Sequence, residues 1–207
     1  MEMPYAACYC EENIYKAAEI MLQKREPEDS YNYFVVLMSN QNEKIVFWNQ
    51  RASKSQDGFI IWDYHVILLR QEANGSTAVL DFDTSLNTAQ ESRTSNICTV
   101  DFIPFPEYIG MSLRPEIDLS PGYERRFRVV SASNYLEKFA SDRSHMIVLE
   151  DGVEKYSACP PNWKPIQARN GSTMNLASFR VMDLGYDDFG QVLTQSEFIN
   201  KFCRYSL

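Results

Sequence analysis

The chain has 207 residues, 44% of them hydrophobic, and a formal net charge of -8, enough apolar material for one sizeable domain. Acids and bases are interspersed without a long basic run, which argues against a nucleic-acid surface or an anionic-membrane patch, and no apolar run approaches the ~20 residues of a membrane span. Met1-Glu2-Met3-Pro4 has neither a basic nor an apolar leader segment, and five cysteines, odd in number and irregularly spaced, point to a reducing, cytosolic-type compartment.

In chain order, Cys10 opens the first predicted helix. Ile14, Ala17, Ala18, Met21 and Leu22 give it one buried face, Glu11 and Glu12 sit in its first turn, and Pro27 lies beyond its end. Tyr33 to Met38 and Lys44 to Trp48 read as strands joined into a hairpin by Asn40-Gln41-Asn42. Phe59 to Leu69 reads as one strand, apolar on both faces and therefore central and buried. A turn around Ala73-Asn74-Gly75-Ser76 leads to a further strand, Thr77 to Asp83, making a second hairpin. Residues 87–103, rich in Ser, Thr and Asn and ending in Pro104-Phe105-Pro106, read as a surface loop or insertion. Arg126 to Val130 reads as a strand and Asn134 to Ala140 as a short helix. Two C-terminal helices follow the proline-rich loop at Pro160 to Pro165. One runs from about Met174 to Met182, and the other starts at the capping box Thr194-Gln195-Ser196-Glu197. With no internal repeat, the chain reads as a single α+β domain, residues 1–207.

Cys10 carries the chemical argument. At a helix start, unpaired backbone N–H groups and the positive dipole end favour a thiolate or an oxyanion, although an arbitrary buried cysteine is more often a small core hydrophobe. A thiol that attacks a carbonyl needs an imidazole to take its proton and to protonate the leaving group. Two histidines exist. His65 lies in a buried strand, where an ionisable group calls for a partner; Asp63 is two residues away in the pleat, and Asp81 and Asp83 lie on the next strand. His65 and Asp81 share a face if the connecting loop has an odd length, three or five residues. His145, beside Asp142 and Arg143, ranks second, because Arg143 disfavours an imidazolium nearby; Asp142 and Arg143 also suit a structural ion pair. Cys8-x-Cys10 lacks the second Cys or His pair of a structural zinc site, so no metal is expected.

Taken together, Cys8-Tyr9-Cys10-Glu11-Glu12-Asn13-Ile14-Tyr15-Lys16, Ile61-Trp62-Asp63-Tyr64-His65-Val66, Leu80-Asp81-Phe82-Asp83-Thr84 and Phe139-Ala140-Ser141-Asp142-Arg143-Ser144-His145-Met146 resemble the protein N-terminal glutamine amidohydrolase family. Met174-Asn175-Leu176 and Leu193 to Phe198 also fit, so the resemblance runs from about Tyr5 to Phe202. It implies a papain- or transglutaminase-like fold, a mostly antiparallel sheet flanked by helices with the catalytic cysteine at a helix N-terminus. The implied triad is Cys10, His65 and Asp81, Asp83 being the assignment most easily confused with Asp81. The implied reaction is deamidation of N-terminal glutamine to glutamate through a thioester, without a cofactor, by a cytoplasmic or also nuclear monomer that feeds N-degron degradation. The implied partners are proteins or peptides with a free N-terminal Gln, with neither nucleic acid nor membrane. The family pattern departs here only in the longer stretch at residues 87–103. Glu12 and Asp63 are candidate acceptors for the substrate's α-ammonium. The same triad would serve a cysteine protease or a transglutaminase-like acyl transferase, and the fold without the chemistry would serve as a binding module for N-terminal residues.

Overall fold

A strand that is apolar on both faces must be covered on both, and residues 1–24, 31–86 and 97–203, which a computed structural model describes, are organised around such strands. The elements run β1 (Glu2–Pro4), α1 (Cys10–Gln23), β2 (Asn32–Ser39), β3 (Ile45–Phe47), β4 (Ile60–Trp62), β5 (His65–Gln71), β6 (Thr77–Leu80), β7 (Ile97–Thr99) and β8 (Ile103–Pro104). They continue through α2 (Phe105–Tyr108) and a π-helical turn (Ile109–Leu113), β9 (Arg126–Ser131), α3 (Ala132–Lys138), β10 (Ile147–Glu150) and β11 (Val153–Tyr156). The last are α4 (Leu176–Arg180), β12 (Gly185–Asp187), β13 (Gly190–Thr194) and α5 (Gln195–Phe202). Seven strands form one antiparallel sheet in the order β12-β13-β9-β2-β5-β6-β8.

The pleat divides the core in two. Val35 and Leu37 of β2 and Val66 and Leu68 of β5 face α1, α3 and α4, where Ile14, Ala17, Tyr135, Phe139 and Phe179 close the first core. Val36 and Met38 of β2 and Ile67 and Leu69 of β5 face the other way, against Phe47, Phe105, Tyr108, Phe127, Phe198 and Phe202. Fully burying each such side chain stabilises the fold by roughly 1.5–3 kcal/mol before entropy is counted. The capping box at α5 forms as read: the Thr194 hydroxyl accepts from the Glu197 N–H, and the Glu197 carboxylate accepts from the Thr194 N–H.

Three expectations change. Tyr33 to Met38 and Lys44 to Trp48 do not form a hairpin; β2 pairs with β5 and β9, and β3 pairs with β4 in a separate ribbon. A two-sided apolar strand takes the centre of the sheet, which the Asn40 turn leaves open to it by diverting β3. Phe59 to Leu69 is not one strand: it breaks at Asp63 and Tyr64, so that β4 leaves the main sheet and Ile61 is exposed. In the stretch 87–103, residues 87–96 lie outside the described residues, as does Pro27. Its end is not surface loop, because β7 pairs with β1, β8 pairs with β6, and Cys98 and Val100 are buried. No helix among the described residues is long and apolar enough to cross a membrane.

The second hairpin forms, but its second strand ends at Leu80, so Asp81 and Asp83 lie just beyond it rather than on it. β5 and β6 pair Gln71 with Thr77 and Leu68 with Leu80, which leaves a five-residue loop. That odd length puts His65 and Asp81 on the same face.

Candidate active site

Cys10 is the first residue of α1 and 9% exposed. The turn that delivers it is fixed from both sides. Cys8 has a positive φ of 69, a conformation that costs a non-glycine residue of order 1 kcal/mol or more and that only the surrounding structure maintains. Asn13, one helical turn on, donates to the Ala6 carbonyl and accepts from the Ala6 N–H, both at 2.8 Å. Asn13, in the same string as Cys10, thus holds the loop that aims the cysteine.

His65 points into the second core, its ring 4.3 Å from that of Trp62 and 5.3 Å from that of Phe47, centroid to centroid. Cys10 belongs to the first core. What joins them is the start of β5, where the amide of Val66, the residue after His65, hydrogen-bonds the Cys10 sulfur.

His65 Nε2 lies 2.9 Å from Asp81 Oδ1, both side chains being fully buried. Asp81 Oδ1 also accepts from the Asp83 N–H at 2.9 Å, and Oδ2 accepts from the Tyr108 hydroxyl at 2.8 Å and from Gln50 Nε2 at 3.5 Å. Burial opposes ionisation of Asp81, but the His65 charge and these hydrogen bonds outweigh it and hold the carboxyl below its ordinary value. Burial likewise opposes protonation of His65, and Asp81, with a smaller contribution from Asp83, outweighs it and raises the pKa. An ionised Asp81 fixes the proton on Nε2 and leaves Nδ1 as the basic nitrogen. Nδ1 is buried and has no hydrogen-bond partner among the described residues.

Donor atoms of His65, Asp81 and Asp83 lie within 4.8 Å of one another, close enough to hold a metal ion. Each already has a protein partner: His65 and Asp81 have one another, and Asp83 Oδ1 accepts from the Tyr5 hydroxyl at 2.9 Å.

Cys10 meets a different field. Burial, then the charges of Glu11 and Asp83, push its thiol well above the ordinary value of 9.0, against the opposing Val66 N–H. The thiol is therefore neutral at rest. Alkylation of Cys10 by iodoacetamide in the substrate-free protein is expected to be slow at neutral pH and still rising with pH beyond 9.0. A rate already flat at neutral pH would show instead a thiolate–imidazolium pair formed in advance.

The first-turn acids of α1 are both fully buried. Glu12 accepts from Arg143 Nε at 3.0 Å, from Arg143 Nη2 at 2.9 Å and from Trp163 Nε1 at 2.8 Å. Both oxygens of this candidate ammonium acceptor are thereby engaged by protein donors. Arg143 pairs with Glu12 rather than with Asp142, which instead accepts from the Ser144 N–H. With its charge so met, Arg143 does not keep His145 from an acid: His145 Nε2 stands 3.4 Å from Glu11 Oε1.

Asp63 does not share the face of His65. The strand break leaves it exposed, with Oδ2 3.3 Å from Arg180 Nη2. Glu11, Tyr64 and His145 are residues of the site that the sequence reading did not single out for substrate. Nothing local marks the two first-turn acids as buried, since adjacent helix positions about 100° apart can both face solvent; Arg143 and His145 in Asp142-Arg143-Ser144-His145 supply their cationic neighbours.

Residues 5–202 match the model of a family described as N-terminal glutamine amidase. Among curated relatives, proteins named protein N-terminal glutamine amidohydrolase are 35% identical in Homo sapiens, 34% in Bos taurus and 33% in Drosophila melanogaster. Each match covers 96% of this chain and 86–87% of the relative. A match that takes in the cysteine turn, the His65–Asp81 hairpin and the Arg143–His145 segment together makes the chain a member of the N-terminal glutamine amidase family.

Proposed function

We propose that this protein, an amide hydrolase by its family, removes ammonia from the side-chain amide of an N-terminal glutamine and leaves glutamate. The names of the relatives supply the substrate. The observation that supports the chemistry is the buried His65–Asp81 pair at 2.9 Å with Nδ1 unsatisfied, in a chain whose Cys10 stands at the first position of a helix.

In this reading Cys10 gives its proton to His65 Nδ1, and the thiolate attacks the δ-carbon of the glutamine carboxamide. The tetrahedral oxyanion is met by N–H groups at the start of α1, that of Cys10 among them, which lack intrahelical partners. His65 passes the proton to the departing nitrogen, ammonia leaves, and a thioester remains. A water then gives a proton to Nδ1 and attacks the thioester carbon, returning the thiol and freeing the glutamate side chain. Asp81 holds the tautomer and stabilises the imidazolium that forms in each half. A cysteine-headed helix laid on an antiparallel strand that carries the histidine, with the acid just past the end of the next strand, supports a papain- or transglutaminase-like descent. Under the same proposal the enzyme is a single catalytic domain working as a cytoplasmic or nuclear monomer, and the N-terminal glutamate it makes enters the arginylation branch of N-degron degradation.

The test compares peptides that begin with Gln, Asn or acetyl-Gln, or that carry Gln internally, following ammonia release and the mass change of amide to acid. Conversion at free N-terminal Gln alone is expected. Chain cleavage or amine crosslinking would give the reaction to the protease or acyl-transferase alternative, and equal turnover of acetyl-Gln would remove the N-terminal requirement.

A further inference from the structure

Glu11 is a buried acid that the mechanism above does not use, and it sits one residue from the nucleophile. Its two oxygens are treated differently. Oε2 accepts from the Tyr64 hydroxyl at 2.9 Å and from the Cys10 thiol at 3.6 Å. Burial and the Glu11 charge push the Tyr64 hydroxyl well up, so it remains a donor. Oε1 is buried and accepts no hydrogen bond among the described residues. His145 Nε2 approaches it at 3.4 Å without hydrogen-bond geometry, and both ring nitrogens of His145 are themselves without hydrogen bonds among the described residues. A buried carboxylate oxygen left in this state is costly, and what satisfies it best is a cation with N–H groups to give.

We propose that Glu11 is the acceptor for the substrate's α-ammonium group and that the His145 ring moves off Oε1 as the substrate enters. The inference rests on the N-terminal glutamine reading and names the group that reads the free amine. The lengths agree. In glutamine four bonds of about 1.5 Å separate the α-nitrogen from the δ-carbon, so an extended side chain sets them about 5 Å apart. The attacked carbon must lie about 3–3.5 Å from the sulfur. The Glu11 carboxylate, with one charge-assisted hydrogen bond of about 2.8 Å beyond it, covers that span. Occupation of Oε1 also bears on the nucleophile, since the Glu11 charge is one of the causes that hold the thiol up. A bound ammonium offsets that charge, so the amine that is recognised helps to activate the thiol.

The experiment uses two substrates, a Gln-initiated peptide and the same peptide capped with 4-carbamoylbutanoyl, which is glutamine without its α-amine. Wild type is expected to favour the amine by ~10²-fold in kcat/KM. Glu11→Gln is expected to lose most of that preference through a raised KM for the Gln peptide, with kcat little changed, while iodoacetamide alkylates its Cys10 faster than in wild type. Glu11→Asp, which keeps the charge, should keep the wild-type alkylation rate and still lose part of the preference. A Glu11→Gln enzyme that retains the wild-type preference overturns the proposal and leaves the deamidation reading standing. Slower alkylation in both variants overturns it too, because Glu11 would then only hold the cysteine turn in place. A wild-type enzyme that releases no ammonia from the Gln peptide takes down both readings.

Discussion

Replacing Cys10 by alanine is expected to lower ammonia release from a Gln-initiated peptide by about 10⁴–10⁶-fold, the scale on which loss of an activated nucleophile is felt when the residual rate comes from binding and oxyanion contacts alone. The size of the effect follows from where the thiol stands. Its sulfur receives the Val66 N–H at the start of the strand that carries His65, and the nearby Tyr64 hydroxyl is held to Glu11 and pushed well up in pKa, a poor nucleophile in its place. The fold should survive. Cys10 is small, alanine is a good helix former, and the turn before it is held by Asn13 rather than by the thiol. A thermal midpoint close to wild type together with the rate collapse is therefore the expected pair of results. Cys8→Ala is the control: Cys8 is exposed, and its loss should leave both rate and midpoint near wild type. Wild-type turnover by Cys10→Ala would end the thioester mechanism and leave water or another nucleophile to be found.

The parts of this site that were legible in the sequence are those set by local rules. The first-turn position of Cys10 follows from the 3.6 period of Ile14, Ala17, Ala18 and Met21. The shared face of His65 and Asp81 follows from parity once the loop is five residues long. The α5 cap follows from Thr194 and Glu197. What was hidden depends on partners far along the chain. Periodicity marks β2 as buried on both faces, but it does not say that β5 and β9 flank it in place of β3. The break at Asp63 and Tyr64 is invisible in an unbroken apolar run, although it both removes Asp63 from the histidine's face and turns Tyr64 toward Glu11. Glu11 and Glu12 look alike as helix-dipole acids. Arg143, Trp163 and His145, all more than a hundred residues away, separate them into a saturated carboxylate and one with an open oxygen. The β10–β11 ribbon went unread although Asp151-Gly152 between Ile147-Val148-Leu149 and Val153 marks a hairpin turn; its side chains stay exposed.

Asp81→Asn is expected to cost about 10³–10⁴-fold in kcat/KM, the range seen when the orienting acid of such a relay becomes an amide with the geometry otherwise kept. An amide can turn its NH₂ toward Nε2 and so favour the tautomer with the proton on Nδ1, where the thiol proton must go. It also removes the charge that stabilises the imidazolium. The pH profile separates this from a structural defect. Asp81 raises the pKa of His65 against burial, and kcat/KM rises with pH as the histidine becomes neutral. Without the Asp81 charge, burial is left to dominate and the pKa falls, so the acidic limb of the variant's profile must move to lower pH while its plateau drops. A merely loosened fold would drop the plateau without moving the limb. Tyr108→Phe removes one donor to Asp81 Oδ2 and should cost far less, because the Asp83 N–H and Gln50 remain. Asp83→Asn decides the assignment most easily confused: Asp83 acts on His65 from a distance and gives its Oδ1 to Tyr5, so its variant should keep most of the rate. If Asp83→Asn collapses the rate and Asp81→Asn does not, the orienting acid is Asp83, and the Asp81 hydrogen bond at 2.9 Å belongs to the core rather than to the chemistry.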